Sequence, residues 1–284
     1  MTTVYRNWTK EQLDAQYNNR ARVPDFQRFL GEWTARSTRC YETATVHRNI
    51  AYGGHPRERL DVFPAAKAGA PVHVFFHGGY WQSLSKDMFA FIAAPYVAAG
   101  VTTVMVNYPL APDDVMDRII AACRSAVAWV AREIHAFGGD PDNIVVSGHS
   151  AGGHIAAMLM AADWVPLPAD VIKGAVSVSG LFDLEPIRLC YLNAVLGMDA
   201  ETARQNSPVH RNPRVVCPLV LAVGEKESEA YHSQTSNMAT AWHDTGVDVT
   251  TLTVPASNHF SILDSLADPT GVVFRQVMRL IPGV

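Results

Sequence analysis

Five short apolar runs constrain this chain most: Val72-His-Val-Phe-Phe76, Val101-Thr-Thr-Val-Met-Val106, Ile144-Val-Val146, Ala175-Val-Ser-Val178 and Pro218-Leu-Val-Leu-Ala-Val223. None alternates cleanly between apolar and polar residues. A strand covered on one face alternates, whereas a strand covered on both reads as a continuous apolar run, as in a parallel sheet with helices on each side. Helical segments lie between the runs. Residues 115–137 carry Ile119, Ile120, Cys123, Ala126, Val127, Val130 and Ile134 at a spacing near 3.6. Residues 154–162 read as a short apolar helix, and residues 269–281 close the chain as another.

Strand–helix alternation predicts an α/β layer fold with crossovers of one hand. Residues 45–52 and 59–63 read as a pair of strands joined at Gly53-Gly54, and 247–254 as a more alternating strand nearer a sheet edge. About eight strands are expected in all. Residues 186–214 form the longest departure between strands and read as a small helical excursion over the sheet. Within residues 1–42, only 11–17 is distinctly helix-compatible. The length of 284 residues and the 48% hydrophobic content suit one α/β domain with a decorated edge.

Composition narrows the partners. The net charge is −4 and no basic stripe appears, so nucleic acid is not an expected partner. No apolar stretch is long enough to span a bilayer, and the first residues lack the apolar core of a signal peptide. The four cysteines are scattered without a CxxC pair, as expected for reduced thiols in a cytoplasmic protein. No metal or organic cofactor is expected. The oligomeric state is not encoded in any motif, and a homodimer is compatible with the chain.

The chemistry concentrates at Gly148-His-Ser150-Ala-Gly152, a G-x-S-x-G sequence between an apolar strand and a helix. A serine at so sharp a strand-to-helix turn stands clear of the sheet, and small neighbours make room for the turn. Ser150 is therefore the expected nucleophile. The helix expected from Ala151 leaves its first N–H groups unpaired and facing the site. A second glycine cluster, His77-Gly78-Gly79-Tyr80-Trp81, follows the strand at 72–76. Bare backbone there lets N–H groups converge on a developing oxyanion. Gly78, Gly79, Tyr80 and Ala151 are the candidate donors, with Tyr80 and Trp81 expected to line the substrate pocket. His77 is expected to pin its loop rather than act as a base.

Among eleven histidines, His259 is best placed, on a loop after the last strand. The chain order Ser, acid, His is that of hydrolases with this kind of nucleophile turn. His232 and His243 fall on a helix, and His149 and His154 flank the nucleophile, where local packing is their expected role. The acid should follow the strand 218–223, where Glu225 and Glu227 stand in a run of carboxylates. Asp183, after the preceding strand, is a rival. The spacing of 32 from Glu227 to His259 leaves room for one helix and one strand.

With these elements in place, residues 43–284 resemble the α/β-hydrolase superfamily. His77-Gly-Gly-Tyr-Trp81 is similar to the HGGxW motif of kynurenine formamidases (arylformamidases), and Gly148-His-Ser-Ala-Gly152 also matches. The stretch from Gly224 to Gln234 resembles that family's G-x-x-D-S-x-E-F-H-x-Q, which puts Glu227 rather than Glu225 on the family's catalytic acid. His259-Phe260 falls on its His-Phe. The resemblance implies a Ser150–His259–Glu227 triad acting on an aryl formamide such as N-formylkynurenine. The alternative is a carboxylesterase or carbamate hydrolase acting on small aryl esters, and a remote one is an inactive hydrolase fold used for binding. Glu227 departs from the family by one methylene, and residues 1–42 match only loosely and are expected to shape the pocket.

Overall fold

Each apolar run becomes a strand in the computed structural model, which describes residues 2–282. Three helices come first: α1 (Lys10–Tyr17), α2 (Asn19–Arg22) and α3 (Phe26–Thr43). Strands β1 (His47–Ala51), β2 (Arg59–Phe63) and β3 (Ala70–Phe76) follow, then α4 (Ala93–Ala98), β4 (Thr102–Val106), α5 (Met116–Glu133) and β5 (Gly139–His149). Next are α6 (Ala151–Met160), β6 (Gly174–Val178), α7 (Glu185–Leu189), α8 (Asn193–Leu196) and α9 (Ala200–Gln205). The chain ends with β7 (Leu219–Gly224), α10 (Glu229–Trp242), β8 (Val249–Val254), α11 (Ile262–Leu266) and α12 (Val272–Leu280).

The eight strands form one sheet in the order β1-β2-β4-β3-β5-β6-β7-β8. Only β1–β2 and β2–β4 pair antiparallel. The missing alternation now has its reason. Val72, Val74 and Phe76 pack on the side of α5, α6 and α10, while Phe75, Met105 and Val145 face α3, α4 and α12. The strands that do expose polar residues, β1 and β8, are the two edges. All six parallel strands point the same way, so the loops after β3, β5, β6, β7 and β8 open at one end of the sheet, where ligands bind in open α/β sheets.

Two local differences from the sequence reading are instructive. Residues 26–43 form an 18-residue helix where no element was expected. Its buried stripe is Phe29, Trp33, Ser37 and Cys40, a helical spacing obscured by the polar residues around it. The helix at 115–137 is α-helical only to Glu133; a 3-10 turn over Ile134–Phe137 then ends at Gly138, whose φ of +79° closes it. The C-terminal part of α3 is fastened to the sheet edge by charge. Tyr41 O–H donates to Asp61 at 2.7 Å, and the buried Lys86 ammonium donates to the same carboxylate at 2.8 Å and to Asn49 Oδ1 at 2.9 Å. Among the described residues, no helix is long and apolar enough to cross a membrane.

Candidate active site

β5 runs straight into α6 with one residue between them, and that residue is Ser150. Its φ of 58° and ψ of −117° lie where side-chain-bearing residues rarely go, a conformation that costs on the order of 1–3 kcal/mol. Two glycines make the turn possible. A Cβ on Gly148 would collide with the Gly152 backbone, and one on Gly152 would collide with the Phe76 carbonyl. The Ser150 N–H donates to Val178 O at 2.8 Å, which ties the turn to the end of β6.

His259, on the loop after β8, reaches this serine. Its Nε2 lies 3.1 Å from Ser150 Oγ and its Nδ1 2.7 Å from Glu227 Oε2. With Nδ1–H donating to the carboxylate, Nε2 carries the lone pair and accepts from the Ser150 hydroxyl. The other oxygen of Glu227 is fully engaged: Ser179 Oγ donates to it at 2.6 Å and Gly224 N–H at 2.8 Å. The additional methylene of a glutamate is thus absorbed by a carboxylate that curls back over its own turn toward Gly224. Glu225 is exposed, and its carboxylate accepts from Ala256 N–H instead. Asp183 is also elsewhere, accepting from Tyr5 O–H at 3.0 Å and from Glu185 N–H.

His259 is hemmed in by two rings, Tyr231 at 4.8 Å and His149 at 4.7 Å between centroids. His149 Nε2 lies 2.8 Å from the His259 carbonyl and holds the loop that carries His259. Burial, and then the neighbouring His259, push the His149 pKa well below the usual imidazole value, so this ring stays neutral and donates through Nε2–H.

The loop after β3 lies beside the serine. An ideal Cβ on Gly78 would stand 3.0 Å from the His149 carbonyl and 3.2 Å from Ser150 Cβ. Gly79 has φ +115° and a Cβ there would collide with Ser83 O, so only glycine fits. Tyr80 and Trp81 follow with φ of 50° and 56°. The N–H groups of Gly78, Gly79, Tyr80 and Ala151 find no acceptor among the described residues. His77 is buried and pins the loop: its Nδ1 lies 2.6 Å from Gly78 O, and Tyr108 O–H donates to the His77 carbonyl at 2.6 Å. Burial lowers the His77 pKa to about 3, which removes it as a base or acid near neutrality.

A cavity of about 390 Å³ opens over Ser150 and His259. The N-terminal helices give it Asn19, Arg20 and Trp33, and the α7–α8 connection gives it Tyr191 and Leu192. The expected helical excursion at 186–214 is therefore present as α7, α8 and α9, and one end of it forms pocket wall. Tyr80 lines the cavity as expected; Trp81 does not. Its backbone turns the indole inward, fully buried and edge-on to His154 at 4.9 Å, so the expectation that Trp81 meets substrate is corrected.

Sequence reasoning missed Asn19, Tyr231 and Trp33. Asn19 Nδ2 donates to Tyr80 Oη at 3.1 Å and to Tyr231 Oη at 2.9 Å, and the Tyr80 O–H donates to Tyr17 O at 2.7 Å. The two phenol oxygens are 2.7 Å apart, and burial raises both pKa values, which keeps both protonated. This cluster joins the α1–α2 corner to the glycine loop. No local pattern marks an isolated Asn or Tyr for such a role. The helical period of Phe29, Trp33 and Ser37 was the one available signal.

Comparison with known proteins places this geometry. A family profile described as the alpha/beta hydrolase fold matches residues 73–263. The chain is 31% identical to a kynurenine formamidase of Danio rerio, with 98% of each chain covered. It is 37% identical to a kynurenine formamidase of Salmo salar, over 78% of this chain and 76% of that one. Among solved structures, a protein from Silicibacter sp. tm1040, there proposed to be a thioesterase, superposes with a TM-score of 0.84 at 28% identity, covering 94% of this chain and 99% of that one.

Proposed function

The chain belongs to the α/β-hydrolase fold family and, within it, to the family of the kynurenine formamidases; on that premise we propose that it cleaves aryl formamides such as N-formylkynurenine through a formyl-enzyme on Ser150. The observation that carries this reading is the continuous hydrogen-bonded chain from Ser150 Oγ through His259 to Glu227, beside a loop of unpaired N–H groups.

Ser150 attacks the formyl carbon as His259 Nε2 takes its proton. Glu227 holds the reactive tautomer and stabilises the imidazolium. The negative charge on the formyl oxygen is met by N–H donors from Gly78, Gly79, Tyr80 and Ala151, each worth about 10²–10³ in kcat in comparable sites. The C–N bond then breaks, and His259 returns the proton to the departing aryl amine. Water, deprotonated by His259, attacks the formyl ester and releases formate and free Ser150. The scheme calls on no metal or organic cofactor. The formyl group asks for little space beside Ser150, and the aromatic wall of Tyr80, Trp33, Phe89 and Phe260 is suited to the arene. Cys40, Cys123, Cys190 and Cys217 are free and buried, which suits a reducing, cytoplasmic setting.

A carboxylesterase acting on small aryl esters would use the same residues, since an ester and an anilide differ only in the leaving atom. The test compares kcat/KM for N-formylkynurenine and p-nitrophenyl acetate. The expected result is a strong preference for the formamide. Fast ester cleavage with negligible formamide turnover would reassign the substrate to an ester.

A further inference from the structure

We propose that Arg20 anchors a carboxylate carried on the aryl side of the substrate, so that the site selects acidic aryl acyl compounds over neutral ones of the same shape. The inference rests on the hydrolase reading above, and adds to it the substrate's charge and the place where that charge is read.

Among the described residues, Arg20 is the one permanently charged side chain in the cavity wall, and no Asp or Glu lines it. Among the described residues it enters no ion pair. Its place is set by its neighbour. Asn19 is 6% exposed and fixed by the two tyrosine hydroxyls, so the next residue along α2 leaves the protein at a defined point on the cavity rim. The guanidinium carbon lies 5.4 Å from the Phe26 ring centroid, and Phe26 packs on Phe260 at 6.0 Å. Phe260 follows the base His259. His259, Phe260 and Arg20 all line the cavity, and Phe26, behind that wall, links the last two. An arene held at Ser150 against Phe260 would carry its distal substituents toward Arg20 on the same cavity wall.

A guanidinium there offers a carboxylate two parallel N–H donors, the geometry in which arginine and carboxylate bind most strongly. A rim cation shares its field with water and salt, so its effect is selective rather than decisive: up to about fivefold in KM at low ionic strength, falling as salt is added. The same cation gives nothing to an uncharged ester.

The test uses two substrate pairs that differ by carboxylate alone: 3-acetoxybenzoate against phenyl acetate, and 3-formamidobenzoate against formanilide. The readout is the ratio of kcat/KM, acidic over neutral, for the wild type and for the Arg20→Lys, Arg20→Ala and Arg20→Glu proteins, with melting temperature as the check on folding. The expected wild-type ratio favours the acid by up to about fivefold and shrinks between about 20 mM and about 500 mM salt. Arg20→Ala brings the ratio to about one through KM, Arg20→Glu inverts it, and Arg20→Lys restores part of it. A ratio unmoved by Arg20→Ala and Arg20→Glu overturns the proposal. An Arg20-dependent ratio on the esters with no formamide turnover would keep this inference and remove the formamidase reading. Formamide turnover with an Arg20-independent ratio would do the reverse.

Discussion

The loops at the end of the sheet and the helices that roof them are built on different principles. In the first region position is fixed by backbone. Ser150, Ser179, Gly79 and Tyr80 all hold positive φ, and the side chains of Glu227 and His259 are buried in a closed hydrogen-bond chain. In the second region position is fixed by side chains. Helices α1–α3 join the rest through Asn19, Tyr17, Trp33 and Tyr41, and present Arg20 and Trp33 to the cavity. On the proposed function, the difference amounts to a division of labour: strained backbone sets the reacting atoms, and replaceable side chains set what is admitted. Changes in the first region should therefore act on kcat, and changes in the second on KM and substrate choice.

The sharpest probe of that division is the acid. Glu227→Gln should lower kcat by about 10³–10⁴ with little change in KM, because the amide no longer fixes the His259 tautomer. Glu225→Gln should stay within a few-fold, since Glu225 only accepts from Ala256 N–H at the surface. Equal, mild effects at both positions would break the assignment. Gly79→Ala comes next. A methyl there meets the Ser83 backbone at φ +115°, so the oxyanion loop must shift, with an expected kcat loss of about 10²–10³ measured under saturating substrate.

Acid should undo the sheet side before the roof. His73, His77, His149 and His154 are buried, and burial holds His73 and His77 near pKa 3 and His154 near 4, with His149 also well below its usual value. No histidine precedes residue 47. The unfolded chain binds protons on these rings below pH about 6.5 while the folded chain does not, so stability is full above that pH and falls as pH drops toward 4. Denaturant midpoints should show a loss on the order of 3 kcal/mol between pH 6.5 and 5.5, given up to about 1.4 kcal/mol per pH unit for each ring. A flat profile would contradict their burial in the neutral form.

The smallest expected effect is the most informative about the boundary between the regions. Asn19→Ala removes a donor from two buried phenols and should raise KM about tenfold, with a stability loss of about 1–3 kcal/mol. A loss of kcat as deep as that of Gly79→Ala would mean that the roof also holds the oxyanion loop, through Tyr80, and the division above would have to be redrawn.

The same division explains what could be read in advance. The strands, the edge position of β8, and the grouping of Ser150, His259 and an acid after β7 at one end of the sheet follow from local signals: apolar runs, glycines at turns, and chain order; the choice of Glu227 over Glu225 came from the family resemblance. The roof was largely illegible. Asn19 and Tyr231 meet only through tertiary packing, across more than 200 residues of chain, and nothing in the local sequence puts Arg20 at the cavity. Helix α3 was hidden because most of its surface is polar, and its stripe of Phe29, Trp33 and Ser37 is narrow. Trp81 misled because a motif tells which residues are near a site but not which way a left-handed backbone turns them.

The account stands on Ser150 as the nucleophile, and covalent labelling tests that most directly. The wild-type protein should react with a fluorophosphonate to one adduct per chain by intact mass, mapped to the peptide holding Ser150. The folded Ser150→Ala protein should remain unlabelled and should lose about 10⁴-fold or more of its kcat on either substrate class. A folded wild type that takes no label, or a Ser150→Ala protein that keeps its turnover, would contradict it.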